Sequence, residues 1–185
     1  MKTLTRYWRQ LSIAFLLVSA AWVWASAAPP GSTTGGRIPA PRPGFLAPDF
    51  RLQTLEGETA GLADLAGRPV LINLWASWCP PCRAEMPAMQ RVYEDFKGQG
   101  FEILAVNATD QDNLPSARAF VDSLGLTFPI LLDPSGEVSA AYELRALPTS
   151  FFVDRQGVIR EVVVGGPMSE ALLRIRVQQL FEEGD

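Results

Sequence analysis

The sequence contains no histidine, and this absence removes several kinds of active site at once. Histidine general bases, histidine metal ligands and Ser-His or Cys-His nucleophile pairs are all excluded. A structural zinc site is disfavoured as well, because two cysteines without histidine cannot supply four Cys or His ligands from one chain. The chemistry must therefore rest on Cys, Asp, Glu, Lys, Tyr or the backbone.

Basic residues are also scarce, with 16 Lys and Arg against 20 Asp and Glu and a net charge of −4. Three of the basic residues, Lys2, Arg6 and Arg9, lie at the N-terminus, so the rest of the chain is more acidic still. An acidic domain does not attract a phosphate backbone, and we expect no nucleic acid partner. The 185 residues suffice for one sizeable core. We expect one folded domain with an N-terminal appendage, acting as a monomer.

The appendage follows the pattern of a targeting segment over residues 1–28, with a basic start and an apolar run from Leu11 to Ala25. Ala25-Ser26-Ala27 resembles a signal-peptidase site, yet the run is nearly long enough to span a bilayer. We expect an uncleaved membrane anchor, with a cleaved signal peptide and a secreted or periplasmic product as the alternative. Residues 29–44 are rich in Pro, Gly, Ser and Thr and are predicted to form a flexible linker.

Residues 45–185 alternate apolar segments with turn residues in a β/α rhythm. The segment 70–76 is apolar on both faces, which favours a buried central strand. Strands that are joined first by helices and then by a hairpin at 154–157 predict a mixed sheet with helices on both faces. The predicted strands are 49–53, 70–76, 101–107, 129–132, 150–153 and 158–164; the predicted helices are 79–97, 115–124, 137–142 and 169–181, with a helical turn at 62–65.

The only two cysteines, Cys79 and Cys82, follow the predicted central strand in a Trp-Cys-Pro-Pro-Cys run. A strand that delivers Cys-x-x-Cys to the first turn of a helix is typical of a reversible redox dithiol. The N–H groups and dipole of a helix start favour an anion at Cys79, which we predict to be the nucleophile. Cys82, one turn later, is predicted to resolve the mixed disulfide. Covalent haem attachment is excluded because Arg83 stands where a histidine is required.

The run Trp75-Ala76-Ser77-Trp78-Cys79-Pro80-Pro81-Cys82, together with Leu147-Pro148-Thr149, resembles the thioredoxin superfamily. More narrowly, Ala47-Pro48-Asp49-Phe50, Glu85-Met86-Pro87 and an insertion at about 107–129 resemble the TlpA/ResA-like extracytoplasmic thiol-disulfide oxidoreductases. This resemblance covers about 45–181. It implies an α/β, thioredoxin-like fold with an N-terminal β extension and a central insertion.

The resemblance also implies roles for residues that the spacing alone does not assign. Pro148 matches a proline that is cis and faces the dithiol, so a substrate chain is expected to pair beside it. The expected substrate contacts are Trp78, Pro80, Pro81, Leu147, Pro148 and Thr149. Asn73 stands where thioredoxin carries a buried acid and is expected to be structural.

Glu85 matches the active-site glutamate of the ResA-like members. It lies three residues after Cys82 on the same helix face, where a carboxylate can accept the proton of that cysteine. The alternative is an exposed glutamate that only favours the start of a helix.

The resemblance implies a reductant of disulfides in exported proteins, such as apocytochrome c, that is re-reduced by a membrane thiol donor. No cofactor or metal is expected. Three alternatives stay open: a disulfide oxidase or isomerase, because the same dithiol works in either direction; a peroxiredoxin-like peroxidase; and a Cu(I) metallochaperone that holds copper between two thiolates.

Overall fold

The computed structural model describes residues 15–19, 22 and 38–182. Residues 15–19 and 22 are helical, while the rest of the predicted targeting segment and most of the predicted linker, including Ala25-Ser26-Ala27, lie outside the described residues. Among the described residues, no helix combines the length and the apolar character needed to cross a membrane. From Ile38 onward the chain packs against the domain, where the N–H of Gly44 donates to the carbonyl of Ile159 at 2.8 Å.

Seven strands form one mixed sheet in the order β2-β1-β5-β4-β3-β6-β7. Strands β3, β4 and β5 run parallel, whereas β1, β2, β6 and β7 join through antiparallel pairs. All six residues of β3 are buried between β4 and β6, so the prediction of a buried central strand is confirmed. The strands are β1 (Arg51–Thr54), β2 (Thr59–Gly61), β3 (Val70–Trp75), β4 (Glu102–Asn107), β5 (Ile130–Leu132), β6 (Thr149–Val153) and β7 (Ile159–Val164).

The α-helices are α1 (Pro80–Phe96), α2 (Leu114–Leu124), α3 (Glu137–Ala141) and α4 (Glu170–Glu182), with 3₁₀ turns at Leu62–Leu65 and Lys97–Gln99. Local signals fix the starts of two of them. Asn113 caps α2 by accepting the N–H of Ser116 at 3.1 Å, and before α4 the hydroxyl of Ser169 accepts the N–H of Leu172 at 3.3 Å. Helix α2 ends at Gly125, whose φ of 59° suits glycine.

The sheet has a core on each face because side chains alternate along β3. Leu71 and Trp75 face a cluster built with α1, α2 and α4, and this cluster contains both cysteines. Val70, Ile72 and Leu74 face the second cluster, which includes Val138 of α3, and the turn at Leu62–Leu65 packs against it. The expected thioredoxin-like α/β fold is confirmed, and the structure adds one strand, β2, that the sequence analysis did not predict.

Candidate redox active site

Strand β3 leads through Ala76, Ser77 and Trp78 to the dithiol at the start of α1. Cys79 is the N-cap residue, and its sulfur accepts the backbone N–H of Cys82 at 3.3 Å. Pro80 and Pro81 fill the first helical positions, where a missing N–H removes no hydrogen bond. The two sulfurs are joined in a disulfide of 2.07 Å. The structure therefore places the pair at the positive end of α1 in its oxidised state.

Exposure differs sharply across this short segment. Cys79 is 2% exposed and Cys82 is fully buried, so the order expected for nucleophile and resolving residue is present but the difference is small. The side chain of Trp78 is 57% exposed, although its indole N–H donates to the carbonyl of Gln111 at 2.9 Å. Trp75, in contrast, is completely buried. Access to the sulfurs is thus restricted, with Trp78 as the large apolar group at the surface.

The loop before β6 carries the predicted proline. The peptide bond between Leu147 and Pro148 is cis, as expected. Leu147 packs against the core cluster that contains both cysteines. Thr149 donates its hydroxyl to the carbonyl of Ala146 at 2.7 Å, and the carbonyl of Pro148 accepts the N–H of Gly165 at 2.7 Å. Among the described residues, none forms a backbone hydrogen bond with Leu147.

Glu85 is fully buried, so the alternative of an exposed glutamate is wrong. Its Oε1 accepts from Nδ2 of Asn73 at 2.9 Å, and its Oε2 accepts from the backbone N–H of Met168 at 3.1 Å. Burial raises the pKa of Glu85 above its ordinary value, and these two hydrogen bonds offset only part of that rise. Glu85 is thus a buried carboxyl group, one helical turn beyond Cys82, whose surroundings raise its pKa.

A segment that the sequence analysis did not single out joins this carboxyl to the proline loop. Gly166 lies so close to both that a Cβ at this position would come within 2.8 Å of Oε2 of Glu85 and 2.9 Å of Cγ of Pro148. Met168, two residues later, supplies the N–H that Glu85 accepts. The cluster Gly165-Gly166-Pro167 before the last helix is the only sequence signal for this close approach.

Comparison with known proteins gives the family. The model of the AhpC/TSA family matches residues 43–162. ResA, a thiol-disulfide oxidoreductase of Geobacillus kaustophilus, is 40% identical over 131 residues, which are 71% of this chain and 74% of ResA. The chain belongs to the AhpC/TSA family and to the ResA-like thiol-disulfide oxidoreductases.

Two further proteins agree with this placement. The thioredoxin-like protein YneN of Bacillus subtilis is 44% identical over 123 residues, covering 66% of this chain and 71% of YneN. The structure of a thiol:disulfide interchange protein from Chlorobium tepidum superimposes with a TM-score of 0.68 at 30% identity, over 75% of this chain and 97% of that one. The resemblance to TlpA/ResA-like enzymes is confirmed, and the chain is a thiol-disulfide oxidoreductase.

In this ResA-like oxidoreductase, the amide of Asn73, expected to be structural, bonds directly to Glu85. Its Nδ2 donates to Oε1 of Glu85 and to the hydroxyl of Ser150, each at 2.9 Å. Its place on β3 was the available signal, because side chains alternate along a strand and position 73 therefore shares a face with Trp75. Ile72, by contrast, faces the opposite core. Asn73 thus connects the central strand to the carboxyl group that lies one helical turn beyond Cys82.

Proposed function

We propose that this oxidoreductase works outside the cytoplasm as a reductant of disulfides in exported proteins, such as apocytochrome c. The buried Glu85 carboxyl, one helical turn beyond Cys82, is the observation that carries the proposal. A carboxylate in this position disfavours a neighbouring thiolate and so keeps both thiols weakly acidic. Dithiols whose thiolates are not strongly stabilised hold their electrons less tightly and act as reductants, as the contrast between thioredoxin and DsbA illustrates.

The proposed reaction begins when the Cys79 thiolate attacks one sulfur of the substrate disulfide. The substrate S–S bond breaks, a mixed disulfide forms, and the departing substrate sulfur takes up a proton. Cys82 then gives its proton to the Glu85 carboxylate and attacks the sulfur of Cys79. This step releases the second substrate thiolate and forms the Cys79–Cys82 disulfide, so two electrons have passed to the substrate.

The substrate chain is proposed to lie along the loop at Leu147, Pro148 and Thr149. The backbone N–H and C=O of Leu147 suit pairing with an extended chain, and Trp78, Pro80 and Pro81, which flank Cys79 in the sequence, are proposed to contact it as well. A membrane thiol donor then returns two electrons to the disulfide. The basic and apolar N-terminal segment supports an extracytoplasmic location, with an uncleaved anchor as the proposed form.

A redox titration of the purified protein against thiol buffers tests the direction of electron flow, with the reduced fraction measured by alkylation and mass spectrometry. We expect a two-electron midpoint near or below about −250 mV, as befits a reductant. A midpoint above about −180 mV would make the protein an oxidase or isomerase. Absence of a reversible transition would contradict the dithiol chemistry altogether.

Two other functions, a peroxidase and a copper chaperone, stay predictions, and each can be tested by a separate experiment. Consumption of peroxide by a Cys82→Ser variant would support a peroxidase that uses Cys79 alone. Retention of Cu(I) by the reduced protein against a competing chelator would support a metallochaperone.

A further inference from the structure

The segment immediately before the dithiol is bonded to the start of the insertion, residues 107–113. The N–H of Ala108 donates to the carbonyl of Trp75 at 3.0 Å. Ser77 donates both its backbone N–H and its hydroxyl to the carboxylate of Asp112, each at 2.6 Å. The insertion therefore holds the backbone that leads into Cys79.

Asp112 is fully engaged as an acceptor. Besides the two bonds from Ser77, its carboxylate accepts from Nδ2 of Asn107 and from the N–H of Asn113, both at 2.8 Å. Burial alone would raise the pKa of Asp112, but these hydrogen bonds outweigh it and hold the pKa below its ordinary value of 3.8. Asp112 is therefore ionised at neutral pH, and its bonds to Ser77 are charge-assisted.

The helix that follows does not explain this arrangement. Asn113 is the N-cap of α2 and bonds the N–H of Ser116 with its own side chain. The two hydrogen bonds from Ser77 to Asp112 thus fix the backbone before Cys79 and are not needed to cap α2.

The same stretch of the insertion fixes the orientation of Trp78. Its indole N–H is bonded to the carbonyl of Gln111, next to Asp112, while more than half of the side chain stays exposed. An exposed tryptophan that is held in one orientation presents a large apolar face at little cost in conformational entropy. A protein substrate offers matching apolar groups around its disulfide, whereas a small disulfide such as oxidised glutathione offers few.

We propose that Asp112 is a positioning residue that holds Ser77 and Trp78 in place and thereby favours protein disulfides over small disulfides. The inference rests on the proposed exchange chemistry of Cys79 and Cys82. Asp112 contacts neither sulfur nor substrate in this role and acts through Ser77 and Trp78.

The test mixes the pre-reduced, full-length Asp112→Asn variant or wild type with one of two probes, unfolded oxidised lysozyme or oxidised glutathione, so that the Cys79-Cys82 dithiol supplies the two electrons. We expect kcat/KM for the lysozyme disulfides to fall roughly tenfold, because the variant weakens about one charge-assisted hydrogen bond. We expect the glutathione rate to fall less than about threefold. Asp122→Asn is the matched control, because it removes the same charge from an exposed position on α2, and it should leave both rates within about twofold of wild type.

Equal losses on both probes, or no loss on either, would overturn the inference. If Asp112→Asn fails to fold, Ser77→Ala replaces it, because this variant removes only the hydroxyl bond to Asp112. Ser77→Ala should also lower the rate on lysozyme relative to the rate on glutathione. An unchanged ratio of these two rates would again overturn the inference. Failure of the proposed function is distinguishable: in that case the wild type reduces neither probe, or Cys79→Ser is as active as the wild type.

Discussion

The buried side of the dithiol segment, where Asn73 and Met168 bond to Glu85, differs from the exposed side, where Ser77 bonds to Asp112. The surroundings shift the pKa values of these two carboxyl groups in opposite directions. Glu85 lies in the core with two hydrogen-bond donors, and burial raises its pKa. Asp112 is half-buried and accepts four hydrogen bonds, and its pKa is lowered. The number of donors relative to the depth of burial decides which carboxyl can exchange a proton and which serves as a fixed anchor.

The largest expected effect separates the roles of the two cysteines, which both lie in the buried cluster. Cys82→Ser removes the buried resolving thiol, so multiple-turnover reduction of a protein disulfide should fall by roughly a thousandfold or more. Cys79 should still attack, and a mixed disulfide between Cys79 and the substrate should accumulate and be visible by mass spectrometry. Accumulation of the adduct in Cys79→Ser instead would reverse the assigned roles.

Gly166→Ala disturbs the close contact between the Glu85 carboxyl and the cis-proline loop. The new Cβ would meet Oε2 of Glu85 at 2.8 Å and Cγ of Pro148 at 2.9 Å, so the loop must shift away from both. We expect a loss of about 1 to 3 kcal/mol in the free energy of unfolding, together with slower reduction of protein disulfides. Gly98→Ala is the matched control, because a Cβ there meets nothing within 4 Å, and its stability should change by less than about 0.5 kcal/mol. Similar stabilities for the two variants, measured by urea unfolding, would contradict this close packing.

These two sides also differ in how far the sequence predicted them. The dithiol, the helix it begins and the buried strand before it follow from local patterns, namely Cys-x-x-Cys spacing and an apolar run. The cis proline and the active-site role of Glu85 came from the family resemblance. The contacts of Gly166, Met168 and Asp112 could not be predicted, because each depends on how segments distant in the chain approach one another. The Met168 N–H and the carboxyl of Glu85 are 83 residues apart in the chain, so no local sequence pattern predicts their hydrogen bond.

The pH dependence of stability should distinguish the two carboxyls. A raised pKa in the folded state means that Glu85 is tolerated best when protonated, so its contribution to stability is full below its ordinary value of 4.5 and is lost as the pH rises through the folded-state value. Glu85→Gln should remove this decline and gain stability relative to the wild type toward neutral pH. Glu94→Gln, an exposed position on the same helix, should leave the pH profile unchanged.

Asp112→Asn should show the opposite trend. Because the folded-state pKa is lowered, the contribution of Asp112 is present above its ordinary value of 3.8 and is lost as the pH falls through the folded-state value. The variant should therefore lose about 1 to 2 kcal/mol at pH 7 and approach wild-type stability in strong acid. Urea unfolding of Glu85→Gln and Asp112→Asn between strong acid and neutral pH checks both predictions. If the free energies of unfolding of the two variants changed with pH in the same way, the contrast between the two carboxyl groups would be wrong.

The smallest expected effect concerns Arg83, the cation nearest to the dithiol in sequence. Its guanidinium lies over the ring of Phe120, 4.6 Å from the centroid, and donates to the carbonyl of Ser77 at 3.2 Å. The guanidinium charge of Arg83 therefore lies against the backbone of Ser77 rather than against a sulfur. Arg83 is also solvent-exposed, where water strongly screens charges. Arg83→Gln should therefore change the pKa of Cys79, measured from the pH dependence of alkylation, by less than about 0.5. A larger change would mean that Arg83 stabilises the thiolate directly, and the exposed side would then tune the chemistry as well as position the segment.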